Sequence, residues 1–153
     1  MVTLNNQNLQ TSFDRDGYIS ISPLFSVEKV EEIKNELIRY IKEVAPNVPD
    51  HHIFYENKDD KTTIKQLQQM FTYDDYFKKL IENSPIREVA EIVLREKAQP
   101  KNLQFFNKPP GIGKPTPPHQ DGYYFMLKKH NAVTCWLALE KVDEENGCIH
   151  YVK

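Results

Sequence analysis

Two residues in the stretch PPHQDGYYF (Pro117 to Phe125), His119 and Asp121, have the types and spacing that could do chemistry. In an extended chain residues i and i+2 project to the same side, so the imidazole and the carboxylate can converge on one ion while Gln120 faces away. A neutral imidazole and a carboxylate, completed by a second histidine from another strand, form the facial donor set that holds Fe(II) and leaves positions open for a chelating cosubstrate and oxygen. Taken alone, the tripeptide reads more simply as a histidine and an aspartate hydrogen-bonded at a strand end; only its surroundings can raise it to a metal site.

The other histidines do not read as the missing donor. His150, alone in the apolar run CIHYV, can face the interior of a barrel. His130 follows Lys128-Lys129 and reads as a turn residue, and His51 and His52 open a hairpin and read as exposed. The two cysteines, Cys135 and Cys148, lie in apolar, strand-like contexts and are expected to be buried free thiols rather than a disulfide or a zinc site.

The elements that must position the pair follow from periodicity. From Ser26 to Val44, apolar residues at Val30, Ile33, Leu37, Tyr40, Ile41 and Val44 repeat at helical spacing, with Ser26 as cap and Glu28 in the first turn. His51 to Glu56 and Thr62 to Met70 flank the turn-forming Asn57-Lys58-Asp59-Asp60 and predict a hairpin. Two helices follow, one after Asp74 or Asp75, the other opening at Ser84 with Pro85 in its first position. Beyond Pro100 the apolar residues gather into LQFF, AVTCWLAL and CIHYV, which read as strands separated by the loops Pro109 to Pro118 and Asp143 to Gly147. Helices first and strands afterwards predict an α+β chain whose helices pack on one side of an antiparallel sheet or sandwich.

Composition narrows the class. A chain of 153 residues fits one domain, and a net charge of −2 with 11% aromatic residues offers no basic excess for nucleic acid or an anionic membrane surface. No run approaches the roughly 20 apolar residues that a bilayer requires, and the N-terminal MVTLNNQNLQTSF has no signal-peptide pattern, so the expected location is cytoplasmic.

With these motifs in view, NKPPGIGKPTPPHQDGYYF followed by AVTCWLALEKVDEENGCIHYV resembles the phytanoyl-CoA dioxygenase family of Fe(II)- and 2-oxoglutarate-dependent oxygenases. The order carries the resemblance: a KPP loop, HQD with aromatics, a W-x-A-L strand, then NGC leading into another strand. It covers about residues 100–153, and the helix-hairpin-helix order upstream is similar to the family's N-terminal part. It implies a double-stranded β-helix (jelly roll, cupin-like) with N-terminal helices packed on it. One domain would cover 1–153, with a helical and hairpin part over 1–99 and the first strands of the roll over 100–153.

The resemblance also implies a site. His119 and Asp121 would be two of three iron ligands, with 2-oxoglutarate as cosubstrate and O2 as oxidant. Trp136 falls on the tryptophan that lines the 2-oxoglutarate pocket, although a large aromatic filling the core reads equally from the residue alone. Lys65, in TTIKQL, falls on a lysine that offers a cation to the cosubstrate, a surface lysine being the plain alternative. Gln104 stands where the family often carries a methionine, and Lys108 is a competing lysine at the loop rim. The third histidine and the arginine for the far carboxylate belong to later strands, so a chain ending at Lys153 is expected to hold about half of the roll, as a fragment or a truncated product. In halogenating relatives a small residue replaces the carboxylate, so Asp121 implies hydroxylation, of a small-molecule or acyl substrate. The competing readings are a catalytically inactive binding or scaffold remnant of the fold and a cupin-type metalloprotein without 2-oxoglutarate.

Overall fold

Ser26 has an extended backbone (φ −70°, ψ 160°) and its hydroxyl accepts the Lys29 N–H at 3.3 Å, satisfying one of the donors left free where a helix begins. The computed structural model of the chain describes residues 6–127 and 131–152. In chain order it contains α1 (Asn6–Asp16), α2 (Val27–Arg39), β1 (Ile53–Tyr55), β2 (Ile64–Leu67), α3 (Met70–Tyr73), α4 (Asp75–Glu82), α5 (Pro85–Leu94), β3 (Phe105–Phe106) and α6 (Asp121–Phe125). Helix α2 runs on through a π-helical turn at Tyr40–Val44, so the helical stretch has the extent that the apolar spacing predicts. Helix α1 was not expected from periodicity, because it is polar and contributes no buried residue. It is fastened to α5 by Gln10 Nε2, which donates to the Ile92 carbonyl at 2.8 Å, and by an ion pair from Arg95 to Asp14.

The hairpin forms as predicted. Strands β1 and β2 pair antiparallel with Ile53 opposite Leu67 and Phe54 opposite Gln66, and β3 adds to the far edge of β2 with Phe105 opposite Leu67. Thr63 closes the connecting loop: its buried hydroxyl donates to the Asp60 carbonyl at 2.6 Å and accepts the Asn57 N–H at 3.1 Å. Strand β2 stops short of Met70 because Gln69 turns left-handed (φ 55°) and the Met70 N–H goes to the Leu103 carbonyl at 3.0 Å, opening α3 instead. Asp74 then caps α4, accepting the Tyr76 and Phe77 N–H groups at 3.0 and 3.2 Å. The core lies between these layers: Ile33, Leu37 and Tyr40 from the α2 stretch, Leu67 from the sheet, Met70, Phe77 and Leu80 from the helices that follow.

Past β3 the expected strands do not form. Segments 132–139 and 148–152 have no regular secondary structure, and of LQFF only Phe105–Phe106 is a strand. A strand is held by hydrogen bonds to a neighbour, and among the described residues these two segments meet no ladder partner. Leu137 and Leu139 nonetheless pack on the core. The result is a mixed helical molecule with one small antiparallel sheet, in which the strands of a jelly roll are not assembled among the described residues. The cysteines are free as expected but not buried, Cys135 being exposed and Cys148 half-buried, since the segments that carry them join no sheet among the described residues. Among the described residues no helix is long and apolar enough to cross a membrane.

Candidate metal centre

The loop leading to His119 is organised by its glycines and prolines. The Gly113 N–H returns to the Pro109 carbonyl at 2.9 Å across Gly111, whose φ of +77° suits a residue without Cβ. Lys108 does not hang at the loop rim. Its Nζ donates to the Gly147 carbonyl at 3.3 Å, and its Cδ lies 2.6 Å from where a Cβ on Gly147 (φ +91°) would stand. The KPP loop and the turn before Cys148 are therefore joined by a lysine laid over a glycine.

Beyond that loop Gln120 is extended (φ −116°, ψ 123°), and Asp121 opens the short helix α6 rather than continuing a strand. One extended residue between them is enough: His119 Nε2 stands 3.2 Å from Asp121 Oδ1. The other ring nitrogen of His119, Nδ1, lies 2.8 Å from the Pro117 carbonyl, to which it can only donate. With Nδ1 so engaged, Nε2 is the ring nitrogen turned to the carboxylate, the orientation in which histidines commonly serve as ligands. Asp121 is held in turn, its Oδ2 accepting the Thr134 hydroxyl at 2.5 Å. Both side chains remain about two-fifths exposed, open to solvent and to an ion.

Tyr151 lies near this carboxylate. Its ring stacks on Tyr18 with centroids 4.7 Å apart. Burial pushes the phenol above its ordinary range, and the Asp121 charge and Cys135 add to the effect. The chain leaving α1 and the segment at 148–152 thus meet beside the pair.

The remaining predicted residues are not brought to it. Lys65 pairs with Glu56 at 3.4 Å on the hairpin, and Gln104 accepts from Gln66 at 2.7 Å and from Asn102 at 3.2 Å. Trp136 is 48% exposed and so does not fill the core. His52 shares a 2.8 Å hydrogen bond with Tyr73 and is therefore engaged on the hairpin side, while His51 is exposed. His150 is exposed, 3.5 Å from Cys148 Sγ, and His130 lies outside the described residues. Among the described residues no third His, Cys, Asp or Glu joins His119 and Asp121. Thr134 is the site residue that reading the sequence did not find: a threonine 13 positions downstream carries no local signal that it will reach Asp121.

Comparison with known proteins gives this geometry a context. The family model described as Phytanoyl-CoA dioxygenase (PhyH) matches residues 13–153. A protein of Bos taurus named "Phytanoyl-CoA dioxygenase, peroxisomal" is 27% identical over 146 residues, covering 90% of this chain and 43% of that protein. "Phytanoyl-CoA dioxygenase 1" of Oryza sativa subsp. japonica is 24% identical over 145 residues, covering 88% and 50%. "Phytanoyl-CoA dioxygenase domain-containing protein 1 homolog" of Caenorhabditis briggsae is 22% identical over 183 residues, covering 95% and 63%. The chain thus spans about half the length of the curated relatives it matches. No solved structure matches it significantly.

Proposed function

The chain belongs to the phytanoyl-CoA dioxygenase family, and we propose that it carries part of an Fe(II)- and 2-oxoglutarate-dependent oxygenase that hydroxylates a small-molecule or acyl substrate. The observation that carries this reading is the approach of His119 Nε2 to Asp121 Oδ1 at 3.2 Å, with the other ring nitrogen tied to the Pro117 carbonyl. An imidazole nitrogen and a carboxylate oxygen set side by side are a donor pair that Fe(II) accepts, and they make two of the three donors of a facial triad.

In this reading His119 and Asp121 hold the metal, and a third donor comes from outside the described residues. Iron held there would supply oxygen activation coupled to decarboxylation of 2-oxoglutarate. The chain's own part is placement. The Pro117 carbonyl holds the imidazole in orientation, and Lys108 pins the loop before the pair to the turn at Gly147. Trp136, half exposed, is proposed to line the cosubstrate pocket. Lys65 and Gln104 are proposed cosubstrate contacts: Lys65 would exchange Glu56 for a carboxylate oxygen, and Gln104, whose Oε1 accepts from Gln66 and Asn102, would donate to one from its Nε2. The lack of a third donor among the described residues favours a second reading, a scaffold that keeps the family's fold without its chemistry.

Anaerobic titration of the gene product that carries these residues with Fe(II) and then 2-oxoglutarate decides between them. Chelation of iron by 2-oxoglutarate gives a visible charge-transfer band. The band is expected in the unaltered protein and absent from His119→Ala and Asp121→Ala. Its absence from the unaltered protein would leave the scaffold as the better account, and its survival in both variants would overturn the assignment of His119 and Asp121 as ligands.

A further inference from the structure

From the hydrogen bond between Thr134 Oγ1 and Asp121 Oδ2, we infer that Thr134 is a positioning residue for the proposed metal centre, orienting the Asp121 carboxylate so that Oδ1 alone faces His119; the inference rests on the reading above. Asp121 sits at the start of a five-residue helix with no buried residue, so its own element does little to hold it. Thr134 belongs to a different stretch, which is attached to the core three and five residues further on by Leu137 and Leu139. The hydrogen bond therefore ties an exposed carboxylate to a part of the chain that is anchored.

The chemistry of the two groups makes the bond directional. A carboxylate only accepts, so the threonine hydroxyl must donate its single proton to Oδ2. With Oδ2 engaged and Oδ1 3.2 Å from Nε2, rotation of the carboxylate about its Cβ–Cγ bond would break one contact or the other. His119 is held in the same manner from its far nitrogen by Pro117. Each donor thus has one atom fixed by the protein and one atom turned to the other donor. Groups that orient a metal's ligands in this way commonly change affinity by about ten-fold or more when removed.

Thr134→Val keeps the shape and deletes the hydroxyl; Thr134→Ser keeps the hydroxyl and deletes the methyl. The probe is Co(II), titrated into the gene product carrying these residues and into both variants, with the d–d absorption read for affinity and for donor set. Thermal unfolding without metal serves as the control for folding. Expected are a loss of about ten-fold in Co(II) affinity with an altered d–d spectrum for Thr134→Val, recovery in Thr134→Ser, and similar melting temperatures for all three. Thr134→Val binding as the unaltered protein does would overturn the inference and leave the metal centre standing. Thr134→Ser as weak as Thr134→Val would overturn it too, by assigning the effect to methyl packing. If the unaltered protein binds Co(II) no better than His119→Ala, the metal centre itself falls and the role of Thr134 with it.

Discussion

Tyr40 shows how much a single side chain can be committed to the interior without a polar partner. It is 1% exposed, its ring meets Phe77 edge-on at 5.4 Å, and its buried hydroxyl finds no hydrogen-bond partner among the described residues. Burial, with the negative charge of Asp74 adding to it, pushes the phenol up to about 12. An unfolded tyrosine ionises near 10. Between those values the folded chain keeps a proton that the unfolded chain releases, so stability falls as pH rises from about 10 to about 12, by roughly 2–3 kcal/mol in all, and is fully present below 10. Urea denaturation of the unaltered protein and of Tyr40→Phe at pH 8 and pH 11 tests this. The two should be close at pH 8, because the lost hydroxyl makes no bond, and the phenylalanine variant should be the more stable at pH 11. Equal losses in both would show that Tyr40 does not carry the effect.

At the scale of elements, Asp74 joins two helices. One carboxylate oxygen accepts the Tyr76 and Phe77 N–H groups at the start of α4, and the other takes Arg39 at 2.7 Å from the end of α2, while the side chain is only 8% exposed. Asp74→Ala removes the cap and leaves Arg39 with Glu36 alone, a loss of about 2 kcal/mol by chemical denaturation. Asp74→Asn can still cap and should lose about half as much; losses of equal size in the two variants would assign everything to the ion pair. The elements whose signals are local were legible: the cap at Ser26, the carboxylate at Asp74, Pro85 opening α5, and the polar turn of the hairpin. Segments 132–139 and 148–152 have strand composition and no strand, because composition says nothing about whether a partner backbone lies alongside. Helix α1 was missed for the opposite reason, having no buried face to mark it.

For the molecule as a whole, Leu67 is where the layers meet. It is 1% exposed, pairs with Ile53 on one side and Phe105 on the other, and shares the core with residues of the α2 stretch and of α4. Leu67→Ala is expected to cost about 3 kcal/mol, read as a lower urea midpoint with an unchanged slope. A loss below about 1 kcal/mol would mean that sheet and helices do not share one core. Read without the structure, the chain already determined helices α2, α4 and α5, its hairpin and the convergence of His119 and Asp121, because each depends on spacings of two to four residues that backbone geometry converts directly into a shared face. Only the tertiary structure decided which oxygen of Asp121 faces the imidazole, that Thr134 holds the other, that Lys108 crosses to Gly147, and that Lys65 and Gln104 are engaged elsewhere. The contacts to Thr134, Gly147 and Gln66 join residues 13 to 39 positions apart, and over such distances it is packing that selects the partner.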